Sequence, residues 1–284
     1  MPVSSETAFR SPGILRLPVR KISAEGPEQT FDPVAIEQPL EIRIRYGSAP
    51  DLREHSLSIT MRTPGNDSEL ALGWLYTEGI IPAASPQVIG NLSTHSAGDS
   101  IIIDLPGQVI PDLSRSQRHS YTSSSCGVCG KTSLEALHAP APQQQNDESL
   151  TIPAALLHTL PPLLRANQDI FEATGGVHAA GLFDAGGNLL ALREDIGRHN
   201  ALDKLIGHTL RQELPLAESI LLLSGRACFE LIQKAAVAGI RIVAAVGPPS
   251  SLAVHHAEET GITLVGFLRQ HRFNIYSNAH RIKS

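Results

Sequence analysis

Two cysteines separated by two residues, Cys126 and Cys129, are the side chains of this sequence best suited to chemistry. Serines precede the pair and glycines flank both cysteines, so this segment offers little side-chain packing. A helix is predicted soon afterwards, over 131–138, and its N-terminal dipole together with Lys131 favours the thiolate form of a cysteine. A thiolate is the nucleophile needed to attack a sulfur donor.

The spacing of this pair leaves three functions equally open: a redox pair of the thioredoxin type, half of a zinc site, or a persulfide carrier. The serine run before Cys126 is unlike the usual redox context. A structural zinc site normally has a second cysteine pair or two closely spaced histidines, and apart from the pair only Cys228 and scattered histidines are present. A fourth interpretation, an inert structural pair, fits poorly with a loop rich in glycine and serine.

Two polar clusters lie later in the chain. Residues 174–182 are glycine-rich around His178, which can donate to a phosphate or act as an acid or base, although a hydrogen-bonded structural histidine is an equal alternative. Residues 194–200 are interpreted as the opening of a helix. Arg198, His199 and Asn200 exceed what helix capping requires there, so the cluster favours a ligand pocket over a solvated helix face.

The last third of the chain alternates apolar strands with helices. The predicted elements are, in order, strand 219–223, helix 227–238, strand 241–246, helix 251–260 and strand 262–268. Such alternation predicts parallel strands, whose carboxyl ends meet at one edge of the sheet, where open α/β folds bind ligands. We therefore expect the loops 224–226, 247–250 and 269–272 to open on the same side. In the first of them, Ser224, Gly225 and Arg226 combine helix N-terminal amides with a guanidinium, which suits a phosphate, although Arg226 pairing with a surface carboxylate is an equal alternative.

The first half of the chain is predicted to form a smaller α+β subdomain. Residues 1–33 are rich in serine, proline and charge and are expected to be a weakly ordered arm. The predicted elements are strands 38–45, 56–62, 88–92 and 100–105 and a helix over 68–78 that is capped by Asp67 or Ser68. We divide the rest into the subdomain 34–136, which ends in the cysteine loop, a linker over 137–149 and an α/β domain over 150–284.

Composition excludes several classes of function. The formal net charge of -5 and the 4% of aromatic residues argue against a nucleic-acid-binding surface. No apolar run has the length of a membrane span or a signal peptide, so we expect a cytoplasmic protein that does not bind membranes. The odd number of cysteines argues against a secreted disulfide framework.

Five motifs in order make the sequence resemble the FdhD/NarQ family of formate dehydrogenase accessory sulfurtransferases. They are SSSCGVCG, TGGVHAAGL, EDIGRHNALDKLIG, LSGRACFELIQKA and PPSSLAVHHAEETGITLVGFLR. The resemblance runs from about Arg62 to the FNIY segment, residues 273–276. It implies a homodimer and a C-terminal domain with a cytidine-deaminase-like α/β fold and a mixed, partly parallel sheet.

The resemblance also implies a chemistry. Sulfur from a cysteine desulfurase would be held as a persulfide on Cys126, with Cys129 as an auxiliary thiol, and passed to molybdenum (or tungsten) bis(molybdopterin guanine dinucleotide) for use by formate dehydrogenase. This cofactor is a bound recipient, and no permanently bound cofactor is expected. The segment implied to bind it comprises Phe267, Leu268, Arg269, Gln270, His271 and Arg272, and the polar residues expected to join it are His178, Arg198, His199, Ser224, Gly225 and Arg226. A cofactor-binding chaperone without sulfur chemistry is the rival function.

A metal site is not expected. Zinc deaminases carry an H-x-E motif followed by P-C-x-x-C, whereas here both cysteines of the pair precede His178 and residue 180 is alanine. The zinc-binding alternative for Cys126 and Cys129 is therefore the weakest. Position 228 is Cys, where the resemblance leads us to expect a small residue such as Ser.

Overall fold

The computed structural model describes residues 13–81, 86–107, 109–113 and 150–283, so Cys126, Cys129 and the predicted linker lie outside the described residues. In chain order, the strands are β1 Ile14–Ser23, β2 Gly26–Ala35, β3 Gln38–Tyr46, β4 Arg53–Arg62, β5 Ser93–Ala97, β6 Ser100–Asp104, β7 Ile152–Pro153, β8 His178–Phe183, β9 Leu189–Asp195, β10 Ile220–Leu223, β11 Ile242–Ala245, β12 Thr263–Gly266, β13 Asn274–Ser277 and β14 Ile282–Lys283. The α-helices are α1 Asp67–Thr77, α2 Pro86–Gly90, α3 Ala154–Ala166, α4 Asp169–Thr174, α5 Arg198–Gln212, α6 Phe229–Val237 and α7 Ser251–Glu259. Within the described ranges, no helix combines the length and apolar composition needed to cross a bilayer.

A six-stranded mixed sheet organises the C-terminal half, in the order β13-β12-β11-β10-β8-β9. The three central strands β10, β11 and β12 are parallel, which confirms the pairing predicted from the alternation of strands and helices. Strands β8, β9 and β13 join as antiparallel neighbours. The mixed α/β class with a partly parallel sheet is thereby confirmed.

The short strands are apolar on both faces because both faces of the sheet are covered. In β10, Leu221 and Leu223 belong to a core shared with α5, α6 and α7, whereas Ile220 and Leu222 point into a second core with α3. This alternation follows from the two-residue period of a strand. Helices on both faces leave the strand ends as the accessible part of the sheet.

The N-terminal elements are joined to this framework by a common core. A four-stranded sheet, ordered β4-β3-β6-β5, packs with α1, and its buried side chains are continuous with those of α5 and β10 to β12. Helices α1 and α5 approach closely because a Cβ atom at Gly73 would collide with the Asp203 carbonyl oxygen, and one at Gly207 with that of Glu69. The domain boundaries predicted from the sequence stay a prediction.

Three local predictions are wrong. Residues 14–35 form the antiparallel hairpin β1–β2 instead of a weakly ordered arm, because full cross-strand pairing and contact with α4 stabilise a segment whose proline and charged residues are unusual in strands. The predicted strand 88–92 is instead largely helix α2, since packing against α5 decides between two structures that a short apolar run permits. The helix α1 is preceded by Asn66 in a left-handed conformation, without a side-chain cap, while Asp67 forms an ion pair with Arg62.

Candidate functional site

The candidate site is built on the carboxyl ends of the parallel strands. The amide of Gly247 donates to the carbonyl oxygen of Gly225 at 2.9 Å, and the amide of Phe267 donates to that of Gly247 at 3.0 Å. The loops after β10, β11 and β12 therefore lie side by side, as predicted. Gly247 is required for this contact, because a Cβ atom there would lie 2.9 Å from the Gly225 oxygen.

The antiparallel strands bring further residues to the same edge. Because β8 runs opposite to β10, with Ala180 opposite Leu223, its first residue His178 lies beside the loop after β10. His178 is in turn paired with Asp195, the last residue of β9, and helix α5 begins three residues later at Arg198. A Cβ atom at Gly225 would lie only 3.2 Å from His178 Nδ1, so the missing side chain leaves room for the ring.

Positive charge gathers around His178. Burial lowers the pKa of His178 most, and the nearby positive charges of Arg198 and Arg226 lower it further, whereas Asp195 opposes the shift. The imidazole is therefore neutral at pH 7 and can donate to or accept from a ligand. The Arg198 Nε atom is buried and has no hydrogen-bond partner among the described residues, while Arg226 is exposed. We refer to His178, Arg198, Ser224, Gly225 and Arg226 as the basic edge.

An open depression of about 530 Å³ adjoins the basic edge. Its lining includes His178, Ser224 and Gly225 from the edge and Arg165 and Phe171 from helices α3 and α4. The Ser224 hydroxyl oxygen accepts from the amide of Ala179 at 2.8 Å, which holds the loop against β8. A volume of this size suits one nucleotide-sized part of a larger ligand.

The segment 267–272 follows β12 at the same edge. Phe267 is 38% exposed and has a left-handed backbone, with φ of 53°, which is unusual for an aromatic residue. Leu268 is fully buried in the second core, so its side chain is unavailable to a ligand. The Arg269 guanidinium donates to the carbonyl oxygen of Val246 at 2.9 Å and thereby anchors the loop. Exposed side chains complete the segment: Gln270, His271 and Arg272.

The cluster 194–200 divides into two parts, and its first two residues end a strand instead of opening a helix. Glu194 caps the N-terminus of α4, since its carboxylate accepts hydrogen bonds from the amides of Ile170 and Phe171, both at 2.9 Å. Asn200 donates to the carbonyl oxygen of Met61 at 2.8 Å. These polar residues therefore hold elements together, and Arg198 and His199 are left at the sheet edge.

Asp195 is the buried anchor of this region. Its carboxylate accepts from the amides of Thr63 at 3.1 Å and Gly197 at 2.8 Å, and lies 2.7 Å from the Lys204 ammonium. Burial raises the pKa of Asp195, while Lys204 opposes that shift. Because Gly197 immediately precedes α5, this anchor positions Arg198 and His199.

His199, Cys228 and Glu230 form a cluster that the sequence did not predict. His199 Nε2 lies 3.3 Å from Cys228 Sγ and 3.9 Å from a carboxylate oxygen of Glu230. Burial raises the pKa of the Cys228 thiol, and so does the neighbouring Glu230 carboxylate. His199 and Cys228 are 29 residues apart in the chain and come from different helix starts, so no spacing motif marks them.

Comparison with known proteins identifies the family. The family model described as the FdhD/NarQ family matches residues 35–283. The chain belongs to the FdhD/NarQ family. The family resemblance seen in the five sequence motifs is thereby confirmed, over a longer stretch than the motifs themselves span.

Relatives in the FdhD/NarQ family are similar over most of their length. A protein of Nocardia farcinica named "Sulfur carrier protein FdhD" is 46% identical over 269 residues, which cover 94% of this chain and 94% of the relative. A protein of Mycolicibacterium paratuberculosis with the same name is 48% identical over 257 residues, which cover 88% of this chain and 91% of the relative.

A solved structure supports the fold. A crystal structure from Desulfotalea psychrophila, whose description assigns it provisionally as a formate dehydrogenase accessory protein, has a TM-score of 0.74 to this chain at 24% sequence identity. The match covers 96% of this chain and 100% of the other. At this identity the likeness establishes the shared fold alone.

Proposed function

We propose that this protein is a sulfurtransferase that accepts persulfide sulfur on Cys126 and delivers it to an anionic cofactor bound at the basic edge. The donor is a cysteine desulfurase, the recipient is molybdenum bis(molybdopterin guanine dinucleotide), and the sulfur serves formate dehydrogenase. The names of the relatives support the sulfur-carrier role. The proposed recipient rests on one observation: Arg198 and Arg226 lie close enough to His178, at the carboxyl edge of the sheet, to lower its pKa. Their positive charges suit an anionic ligand.

The first chemical step is a thiol–persulfide exchange. The Cys126 thiolate attacks the outer sulfur of the donor persulfide, the donor S–S bond breaks, and the donor cysteine leaves as a thiolate. Cys126 then carries the outer sulfur as a persulfide, and no net oxidation has taken place. The glycines beside the cysteines suit such an exchange because glycine has no side chain to hinder the approach of a partner.

Delivery of the sulfur uses the second thiol. Cys129 attacks the inner sulfur of the persulfide, which forms a Cys126–Cys129 disulfide and releases the outer sulfur as hydrosulfide, with the thiol proton, to the metal of the recipient. A cellular dithiol then reduces the disulfide and restores both thiols. The two-residue spacing of the pair allows this ring closure.

The basic edge supports binding of the recipient. The guanine dinucleotides carry several phosphates, and guanidinium groups are the preferred partners of phosphate oxygens in proteins. Arg198, with its buried and unpartnered Nε, and the exposed Arg226 offer such groups, while neutral His178 can donate one hydrogen bond. The exposed ring of Phe267 offers a surface on which a guanine base can stack.

Sulfur loading is tested by mass spectrometry of the full-length protein after incubation with a cysteine desulfurase and cysteine. We expect one added sulfur atom on the peptide that contains Cys126, and its loss in Cys126→Ala. Cys228→Ser is the matched control and should load normally. Loading that persists in Cys126→Ala would contradict the assignment of the carrier cysteine.

Binding is tested separately, with guanosine diphosphate as the probe. We expect Arg226→Gln to weaken binding at least several-fold, and Cys126→Ala to leave it unchanged. The cofactor-chaperone function is distinguished by activation of formate dehydrogenase: if Cys126→Ala supports full activation, the chaperone is correct and sulfur transfer is wrong.

A further inference from the structure

The cluster His199, Cys228 and Glu230 brings three different metal-binding atoms together at the start of α5 and α6. An imidazole nitrogen, a thiol sulfur and a carboxylate oxygen lie within 4.8 Å of one another. The side chains of His199 and Glu230 are 13% and 15% exposed, so the group is largely shielded from solvent and still reachable. Such a set indicates a metal site more specifically than a group of surface carboxylates does, because transition metals prefer ligands of these types.

We propose that these three side chains form a binding site for a zinc-like divalent cation. A tetrahedral zinc ion with the usual bond lengths to sulfur and nitrogen sets those two atoms about 3.6 Å apart, and sets nitrogen and carboxylate oxygen about 3.4 Å apart. The observed separations are 3.3 Å and 3.9 Å. These two separations therefore differ from the tetrahedral values by about half an ångström or less, which small side-chain adjustments can supply.

The donor types select the class of metal. Magnesium and calcium prefer sites made of oxygen atoms, whereas a thiolate and an imidazole together favour zinc and its neighbours in the first transition series. One thiolate and one carboxylate neutralise the two charges of the ion. The Arg198 guanidinium adjoins the thiol and opposes a cation, and this repulsion is offset by the two anionic ligands.

Three protein ligands leave the fourth position of a tetrahedral ion open, as in catalytic zinc sites. Both helices begin at the same edge of the sheet as the basic edge, and Arg198 is adjacent to His199 in the chain. An anion bound near Arg198 is therefore well placed to occupy that position. The proposed metal site does not depend on the proposed sulfur transfer, since it uses neither Cys126 nor Cys129.

The test uses the full-length protein, freed of metal with a chelator and reloaded with zinc or cobalt(II). We expect one equivalent of zinc by elemental analysis, and with cobalt(II) the absorption bands of a tetrahedral site with a thiolate ligand. Cys228→Ser and His199→Gln should each weaken zinc binding by more than about 100-fold, because even second-sphere partners contribute about 10–100-fold. His255→Gln, on the exposed side of α7, is the matched control and should bind normally.

Two results would overturn the proposal. The first is zinc binding well below one equivalent in the unaltered protein. The second is a cobalt–thiolate band that survives Cys228→Ser and disappears in the double variant Cys126→Ala, Cys129→Ala, which would assign the metal to the other cysteine pair. Should a variant of the cluster fail to fold, the double variant Cys126→Ala, Cys129→Ala decides, because zinc must raise its Tm if the cluster binds the ion. An unchanged Tm at saturating zinc counts against the site.

Discussion

Removing the Lys204 ammonium tests whether the buried ion pair with Asp195 holds the start of α5. The two side chains are 2% and 0% exposed and 2.7 Å apart, so solvent hardly screens their attraction. The Lys204→Met variant keeps the apolar stem and leaves an unpaired buried carboxylate. Loss of one partner of such a pair costs about 3–5 kcal/mol of unfolding free energy, which lowers Tm by an amount on the order of 6–20 °C.

The loss of unfolding free energy in Lys204→Met should depend on pH, and the direction of that dependence follows from the pKa of Asp195. Burial already raises this pKa, and removal of Lys204 takes away the main opposing interaction, so the pKa rises further. Between the unfolded and folded pKa values the folded state binds more protons, and its stability therefore falls as pH rises through that window. The deficit of Lys204→Met should thus be smaller near pH 5 than near neutral pH.

Urea unfolding followed by circular dichroism measures both effects. Lys283→Met, a loss of an exposed lysine at the end of the chain, is the control and should change stability by less than about 0.5 kcal/mol. The double variant Asp195→Asn, Lys204→Met should lose less than the sum of the single variants, with a coupling of about 0.5–3 kcal/mol. A loss below about 1 kcal/mol in Lys204→Met would refute the reasoning, since breaking a buried ion pair costs about 3–5 kcal/mol. A loss that does not change with pH would refute the role given to the Asp195 carboxylate.

Two further predictions concern helix packing and the basic edge. Gly207→Ala should destabilise the protein by about 1–3 kcal/mol or more, because its Cβ atom would collide with the Glu69 carbonyl oxygen and force α1 and α5 apart; thermal unfolding measures this change. Arg226→Gln should raise the pKa of His178, since one of the positive charges that lower it is removed; NMR titration of the imidazole measures the shift.

Each of these predictions has a matched control. Gly176→Ala places its Cβ atom in ordinary contact, 3.6 Å from the nearest atom, and should leave stability nearly unchanged. Equal losses in both glycine variants would show that close helix approach is not the cause. For the basic edge, Arg241→Gln removes a charge just before β11, at the opposite end of that strand, and a similar pKa change in both arginine variants would argue against a local effect.

The framework of the site followed from local sequence patterns. The apolar runs of β10, β11 and β12 and the helices between them predicted parallel strands, and those strands do bring Gly225, Gly247 and Phe267 into contact. Such patterns are readable because burial on both faces imposes apolar residues along the whole strand. The hairpin β1–β2 was not predicted, since its prolines and charged residues indicated a weakly ordered arm, although Leu15, Leu17 and Val19 do follow the two-residue period of a strand.

The polar cluster 194–200 shows where sequence reasoning stops. Its density of charged and amide side chains indicated a ligand pocket, yet Glu194, Asp195 and Asn200 are bonded to distant parts of the chain. A residue type shows which hydrogen bonds a side chain is able to make. The tertiary structure determines which partner that side chain meets.

The sequence by itself determined the family, the parallel core and the cysteine pair, because motifs and hydrophobic periodicity are properties of contiguous residues. Tertiary structure alone decided which polar groups meet at the sheet edge. The starts of β8, α5 and α6 are far apart in the chain and converge because antiparallel β8 begins where parallel β10 ends. That convergence places His178 beside Arg198 and Arg226, and brings His199 to Cys228 and Glu230, an arrangement that no linear spacing encodes.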